Sequence, residues 1–108
     1  MIRTMSAQRV YRSPFPPFST PRDLSISQFL LASNPDDVSH ETPISSDFNN
    51  PSHGLTFGGI RKLAAQGAAG LRDVVGLGEG DVVCIYGQNS VNWSLLSHSV
   101  MWAGACSW

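Results

Sequence analysis

At 108 residues the sequence has the length of one small domain, and its 42% hydrophobic and 14% charged residues are typical of a globular protein. The net charge is -1 and the seven lysine and arginine residues form no dense run, so neither a nucleic acid nor an acidic membrane surface is indicated as a partner. The longest apolar run, 100–106, is too short to span a bilayer.

The first half of the chain, residues 1–55, is predicted to be an irregular arm. Prolines and turn-forming clusters such as SNPDD and SSDFNNPSHG interrupt it throughout. Residues 26–32 are apolar enough for a helical turn or two, with Ser25 or Ser27 as the cap. Residues 1–22 are rich in arginine and lack acidic residues, as in a mitochondrial transit peptide, but the prolines of SPFPPFSTP disfavour the required helix.

A helix of about five turns is predicted from residue 57 to residue 75, with Thr56 as N-cap and Gly76 as the residue that ends it. The small residues Ala64, Gly67 and Ala68 are expected to let this helix approach a sheet closely. Apolar residues recur at spacings of three and four along it: Phe57, Ile60, Leu63, Ala64, Gly67, Ala68, Leu71, Val74 and Val75.

Residues 82–86, Val-Val-Cys-Ile-Tyr, are continuously apolar, which predicts a strand buried on both faces of a parallel sheet. A second helix follows from Asn89 or Ser90 and ends at Gly104. Its predicted buried stripe consists of Trp93, Leu96, Val100 and Ala103. The order helix, strand, helix places the chain in the α/β class.

The glycines of GLGEGDVVCIYGQNS, residues 76–90, raise the question of a phosphate-binding loop. Such a loop follows a strand and precedes a helix, whereas Gly76, Gly78 and Gly80 follow a helix and precede a strand. A Walker loop also requires a Lys followed by Ser or Thr, which is absent here. We interpret this stretch as a connector, and the turn 87–90 as the cap of the second helix.

No catalytic, cofactor-binding or metal-binding residue is predicted. The histidines, His40, His53 and His98, and the cysteines, Cys84 and Cys106, show no metal-ligand spacing. A nucleophilic pair of Cys106 and His98 has no third group to orient it, and both cysteines are expected to be buried free thiols. Asp36 and Asp37 are expected to form a solvated surface or a helix cap. Trp93, Trp102 and Trp108 are expected to pack in the core.

As an ensemble, these segments resemble the early part of the N-terminal domain of the adenylate-forming (AMP-binding) enzymes, the group of acyl-CoA synthetases and 4-coumarate–CoA ligases. The resemblance covers about residues 10–105. Its elements are VYRSPFPP at 10–17, Thr56-Phe57, Ala69-Gly70-Leu71, Gly-Asp-Val-Val at 80–83, Asn89-Ser90 and Ala-Gly-Ala at 103–105. At the position before Asn89-Ser90 the family commonly has proline, whereas this sequence has Gln88.

The resemblance implies an irregular arm, 1–55, followed by 56–108 as the incomplete start of a layered α/β AMP-binding domain. The complete enzyme would join a small carboxylic acid to ATP as an acyl-adenylate and transfer the acyl group to coenzyme A, with Mg²⁺. The family's lysine-terminated ATP loop and later catalytic motifs are absent from these 108 residues. The chain by itself is therefore expected to be an inactive fragment that binds no cofactor.

The predicted strand has no partner strand in the expected fold, so the sheet is left unfinished. The alternative function is accordingly a small non-catalytic module that docks through an exposed strand edge, by self-association or onto a full-length relative. No secretory leader is recognised, which indicates an intracellular protein, cytoplasmic or, as the resemblance allows, peroxisomal. These 108 residues do not determine which carboxylic acid is the substrate.

Overall fold

The computed structural model describes residues 10–107, which form a small mixed α/β fold. No helix among these residues has both the length and the hydropathy needed to cross a membrane. The transit-peptide interpretation of residues 1–22 and the core position predicted for Trp108 fall partly or wholly outside the described residues.

In chain order the elements are a π-helical segment Gln28–Ser33, strands β1 Pro43–Ser46 and β2 Gly54–Thr56, helix α1 Phe57–Gly70, a second π-helical segment Leu71–Val75, strand β3 Val82–Val83, helix α2 Val91–Trp102 and strand β4 Cys106–Ser107.

Helix α1 begins and ends where its terminal residues predict. The Thr56 hydroxyl oxygen accepts a hydrogen bond from the Gly59 N–H at 3.1 Å, which satisfies one of the unpaired donors of the first turn. Helical structure continues through Leu71–Val75 and stops at Gly76, whose φ of 79° lies in the left-handed region that favours glycine. The predicted cap and stop are both confirmed.

The predicted apolar stripe of α1 is only half buried. Phe57, Ile60, Ala64 and Ala68 are buried and form its inner face. The segment that follows, Leu71–Val75, contains no buried residue, and Val74 is 86% exposed. The prediction of burial is therefore wrong at this end, because periodicity gives the face of a helix but not the length over which a neighbour covers it.

Helices α1 and α2 pack closely against each other at Gly67. An added Cβ on Gly67 would collide with Oγ of Ser99 and lie 2.9 Å from its Cβ, so the absence of a side chain at Gly67 permits the approach. Ala64 and Ala68 on the same face of α1 are fully buried. The small residues thus serve a helix–helix contact, and the predicted close approach to a sheet is wrong.

Strands β3 and β4 form a two-stranded parallel ladder, with Val82 opposite Cys106 and Val83 opposite Ser107. The expectation that the strand has no partner is therefore wrong, since the residues after Gly104 return to pair with it. The prediction of burial on both faces is also wrong. In β3 Val82 is exposed and Val83 is partly buried, and exposed and partly buried side chains continue to alternate through residues 84–86, which follow the strand.

Helix α2 begins at Ser90, whose Oγ accepts the Trp93 N–H at 3.1 Å, and it is followed by Gly104 with φ of 89°. The predicted stripe is half confirmed: Val100 and Ala103 are buried, whereas Trp93 and Leu96 remain more than a third exposed. Of the buried serines, Ser99 meets α1 at Gly67 and Ser97 contacts Ser107 of β4. Among the described tryptophans, Trp102 packs on the core as predicted and Trp93 does not.

The first half of the chain is not wholly irregular. Strands β1 and β2 pair antiparallel with an irregular register between Pro43 and Ser45.

Before these strands, Ser25 and Gln28 form a reciprocal capping box: the Gln28 N–H donates to Ser25 Oγ at 3.1 Å, and the Ser25 N–H donates to Gln28 Oε1 at 2.9 Å. This confirms Ser25 as the cap. Leu31 from the same segment joins Phe57, Ile60 and Ala64 in the core.

A buried polar contact attaches this segment to α2. Ser27, which is fully buried, hydrogen-bonds through Oγ to Nδ1 of His98 at 2.8 Å. Burial lowers the pKa of His98 below its ordinary value, because the charged imidazolium is less well solvated there than in water. The neutral imidazole is therefore the form that the fold favours.

Replacing Gly67 with Ala tests the helix crossing. The added methyl group would collide with Ser99, and we expect a net loss of about 1–2 kcal/mol of stability, since overpacking costs about 1–3 kcal/mol and Ala gains up to about 1 kcal/mol in helix propensity. Gly70→Ala is the matched control: it lies in the same helix, meets no atom within 4 Å, and should be neutral or stabilising. Equal effects of the two substitutions on thermal unfolding would contradict the crossing.

Acid titration tests the His98 contact. Above the ordinary histidine pKa of about 6.5 both the folded and the unfolded chain are neutral at this position. As the pH falls below that value the unfolded chain binds the proton first, so stability should decrease until the lower folded pKa is passed. The decrease in denaturation midpoint between pH 7.5 and 5.5 should be smaller in His98→Gln than in the unmodified chain. An unchanged pH dependence in His98→Gln would show that this residue is not responsible.

Candidate functional site

An open groove of about 690 Å³ lies where three parts of the fold meet: the β1–β2 loop, the segment after β3 and the start of α2. This is the carboxyl end of a parallel strand, where α/β proteins commonly bind ligands. All four residues of the turn 87–90, which the sequence marks as a helix cap, line this groove. Its lining residues are Asp47, Phe48, Asn49, Asn50, Ile85, Tyr86, Gly87, Gln88, Asn89, Ser90, Asn92, Trp93 and Leu96.

Asp47 joins the loop to the helix. One of its carboxylate oxygens accepts the Val91 N–H at 3.0 Å, and the other is hydrogen-bonded to Nδ1 of His53. The hydrogen bond from Val91, followed by that from His53, holds the pKa of Asp47 below its ordinary value. The ionised carboxylate therefore stabilises the fold above its ordinary pKa of about 4, and this stabilisation is lost as the pH falls through the lowered value.

The groove offers hydrogen-bonding amides and aromatic surface but no cation among its lining residues. Two of the first three N–H groups of α2 are already occupied, that of Val91 by Asp47 and that of Trp93 by Ser90. A phosphate group would meet a carboxylate at the helix N-terminus, where it would need free donors. These residues do not fit the phosphates of ATP or coenzyme A, which agrees with the interpretation of the turn as a cap.

Cations lie instead around a second, smaller cavity of about 510 Å³ beside α1, which is lined in part by His40, Arg61, Lys62 and Trp102. The Arg61 guanidinium lies 3.3 Å from Nε2 of His40, within hydrogen-bonding distance. Lys62 is the single lysine of the sequence. It lies within a helix and not at the end of a glycine-rich loop, so it has no place in a phosphate-binding loop.

The structure separates most of the residues that the sequence raised as candidates. Cys84 and Cys106 are free, as predicted, but both are exposed, so the prediction of buried thiols is wrong. His98 contacts Ser27 and not Cys106, and Asp36 and Asp37 are exposed as expected. Within residues 10–107 no three histidine, cysteine or acidic side chains are grouped in a way that could hold a metal ion.

The contact made by Asp47 was missed in the sequence. The turn-forming cluster that surrounds it indicates a loop, and Asp in such a loop is expected to bond to its own neighbours. Its partner Val91 is instead 44 residues away. No local pattern signals a cap that is supplied by a distant loop, so only the packing of the hairpin against α2 reveals it.

Comparison with known proteins gives one informative match. The chain is 38% identical over 64 residues to the phenylacetyl-CoA ligase epaB of Aspergillus niger, a stretch that covers 59% of this chain and 12% of the relative. The chain thus spans a small part of the curated relative that it matches. No family model matches it, and no solved structure matches it. The match supports a relationship to acyl-CoA ligases over that stretch.

Replacing each capping residue in turn tests the two caps of α2. Asp47→Ala should speed hydrogen exchange of the Val91 amide, and Ser90→Ala should speed that of the Trp93 amide at a cost of about 1 kcal/mol. Each variant is the other's control, since the two side chains accept from different amides. Exchange that rises equally at both amides in both variants would indicate general loosening of the helix and would refute separate caps.

Proposed function

We propose that this chain is part of a carboxylate-activating ligase and supplies the early α/β portion of its AMP-binding domain. The identity shared with the phenylacetyl-CoA ligase over 64 residues carries the proposal. The order of helix α1, strand β3 and helix α2 is compatible with it, since the same order underlies the sequence resemblance to adenylate-forming enzymes.

The reaction proposed for the whole enzyme has two steps. A carboxylic acid attacks ATP to give an acyl-adenylate and pyrophosphate, and the thiol of coenzyme A then displaces AMP to give the acyl-CoA thioester. Phenylacetic acid and related aromatic acids are the substrate class suggested by the relative's name. ATP, Mg²⁺ and coenzyme A belong to the complete enzyme in this proposal.

Residues 1–108 are proposed to be inactive by themselves. The sequence has a single lysine, Lys62. It lies inside helix α1, whereas the lysine that the family uses for ATP ends a loop. The groove at the start of α2 has no cationic lining residue to offset the charge of a triphosphate. What the chain supplies to the ligase is therefore structure, with the reacting groups coming from other parts of the polypeptide.

A second candidate is a non-catalytic module that docks on a partner. The exposure of Val82 in β3, at 68%, and of Tyr86 in the segment after it favours this candidate, because large apolar side chains beside a sheet are commonly covered. The two candidates differ in what covers those residues. In the first it is further polypeptide of the same enzyme, and in the second it is a separate molecule.

A chimera tests the first candidate: the phenylacetyl-CoA ligase in which the matching stretch is replaced by that of this chain. We expect ATP–pyrophosphate exchange with phenylacetate within about tenfold of the unmodified ligase, since a change of that size corresponds to about 1.4 kcal/mol in the barrier. The isolated chain should give no exchange above buffer with a panel of aromatic and fatty acids. Exchange by the isolated chain, or a folded but inactive chimera, would overturn the proposal.

A further inference from the structure

The cavity beside α1 gathers basic side chains from a part of the chain that is otherwise acidic. From residue 23 to residue 107 the sequence has three Lys or Arg residues, and two of them, Arg61 and Lys62, line this cavity of about 510 Å³. His40 lines it as well, with Nε2 3.3 Å from the Arg61 guanidinium. The same range contains eight Asp or Glu residues, so the grouping of basic side chains does not follow from composition.

No carboxylate neutralises the two cations. Within residues 10–107 the one ion pair joins His53 to Asp47, so neither Arg61 nor Lys62 has an acidic partner there. The contact of Arg61 with His40 uses one terminal nitrogen of a guanidinium that carries five N–H donors. Most of these donors therefore stay available to an anion that enters the cavity.

The rest of the cavity wall is apolar. It is formed by the partly buried Trp102 together with the small side chains of Ala32 and Ala65. His40 is held at the edge through its backbone, since its carbonyl oxygen accepts the Gly58 N–H at 2.9 Å. A ligand that is complementary to this wall needs an apolar body and an anionic end.

We propose that this cavity binds a small organic phosphate monoester, with the phosphate between Arg61 and Lys62 and the apolar group against Trp102. Two cations match the charge of about -1.5 to -2 that a phosphate monoester carries at pH 7, whereas a carboxylate would leave one of them uncompensated. Arg binds phosphate oxygens through two parallel hydrogen bonds, and Lys adds a point charge. This inference does not depend on the proposed function, because it uses only the contacts around α1.

The charge around the cavity favours a small ligand over a polyanion. A nucleic acid needs a row of basic residues along its backbone, and beyond Arg61 and Lys62 the range 23–107 offers only Arg72 against eight carboxylates. A small phosphate ester meets the cavity alone, since exposed charges more than about 8 Å away are largely screened at physiological ionic strength. The cavity volume also lies in the range of about 300–1,000 Å³ that is usual for small-molecule sites.

Titration of the isotope-labelled chain with phenyl phosphate, followed by NMR, tests the site. The indole N–H of Trp102 and the side-chain N–H groups of Arg61 should shift and saturate together. Trp93, which lines the separate groove at the start of α2, is the internal control, and its indole N–H should not shift. Inorganic phosphate lacks the apolar body and phenylacetate carries less charge, so each should bind at least about threefold more weakly.

Substitutions that remove single charges give a second measurement. Arg61→Gln should weaken the binding of phenyl phosphate by about tenfold, and Lys62→Gln by about threefold, because Arg61 supplies hydrogen bonds as well as charge. Arg72→Gln is the matched control, since it removes the same charge from an exposed residue that does not line the cavity, and it should change binding little.

Several outcomes would overturn the phosphate site. Equal shifts at Trp93 and Trp102, or equal weakening by Arg61→Gln and Arg72→Gln, would indicate attraction to the whole surface instead of binding in the cavity. Phenylacetate that binds as tightly as phenyl phosphate would reject a phosphate as the ligand. A spectrum without amide dispersion would also count against the site, because the cavity requires folded α1 and α2.

The exchange activity of the ligase chimera is independent of this result. An active chimera together with an isolated chain that does not bind phenyl phosphate rejects only the cavity. Binding by the isolated chain together with a folded but inactive chimera rejects only the ligase.

Discussion

The close crossing of α1 and α2 at Gly67 and Ser99 is the contact on which the rest of the fold depends. It sets the two helices side by side, and the chain between them must then travel from the end of one to the start of the other. That path contains the turn at Gly76, strand β3 and the groove before Ser90. Because a helix separates β3 from β4, the two strands run parallel, as crossover connections require.

Two consequences of this arrangement matter for function. The carboxyl end of β3 faces the first turn of α2, which creates a groove where a ligand would ordinarily bind. The fold occupies that position itself, with Ser90 and the carboxylate of Asp47 accepting the helix amides. The second consequence concerns the ladder, where Ser107 contacts Ser97 of α2 while Val82 remains 68% exposed.

The side-chain hydrogen bonds described above link segments that are far apart in the sequence. These polar contacts hold parts of the fold together: Ser27 with His98, Asp47 with Val91, and Ser97 with Ser107. In the proposal that the chain belongs to a carboxylate-activating ligase, its contribution is the helix pair and the short β3–β4 ladder.

The sequence by itself determined the local features. Thr56, Gly76, Ser90 and Gly104 begin or end their helices as predicted, because capping depends on hydrogen bonds and backbone angles within about four residues. Tertiary structure alone decided which faces are buried, the pairing of β1 with β2 and of β3 with β4, and the distant partners of Asp47 and His98, which are 44 and 71 residues away. The apolar run at 82–86 shows the difference: its composition predicts a strand, but only the position of α2 determines that one face is covered and the other is not.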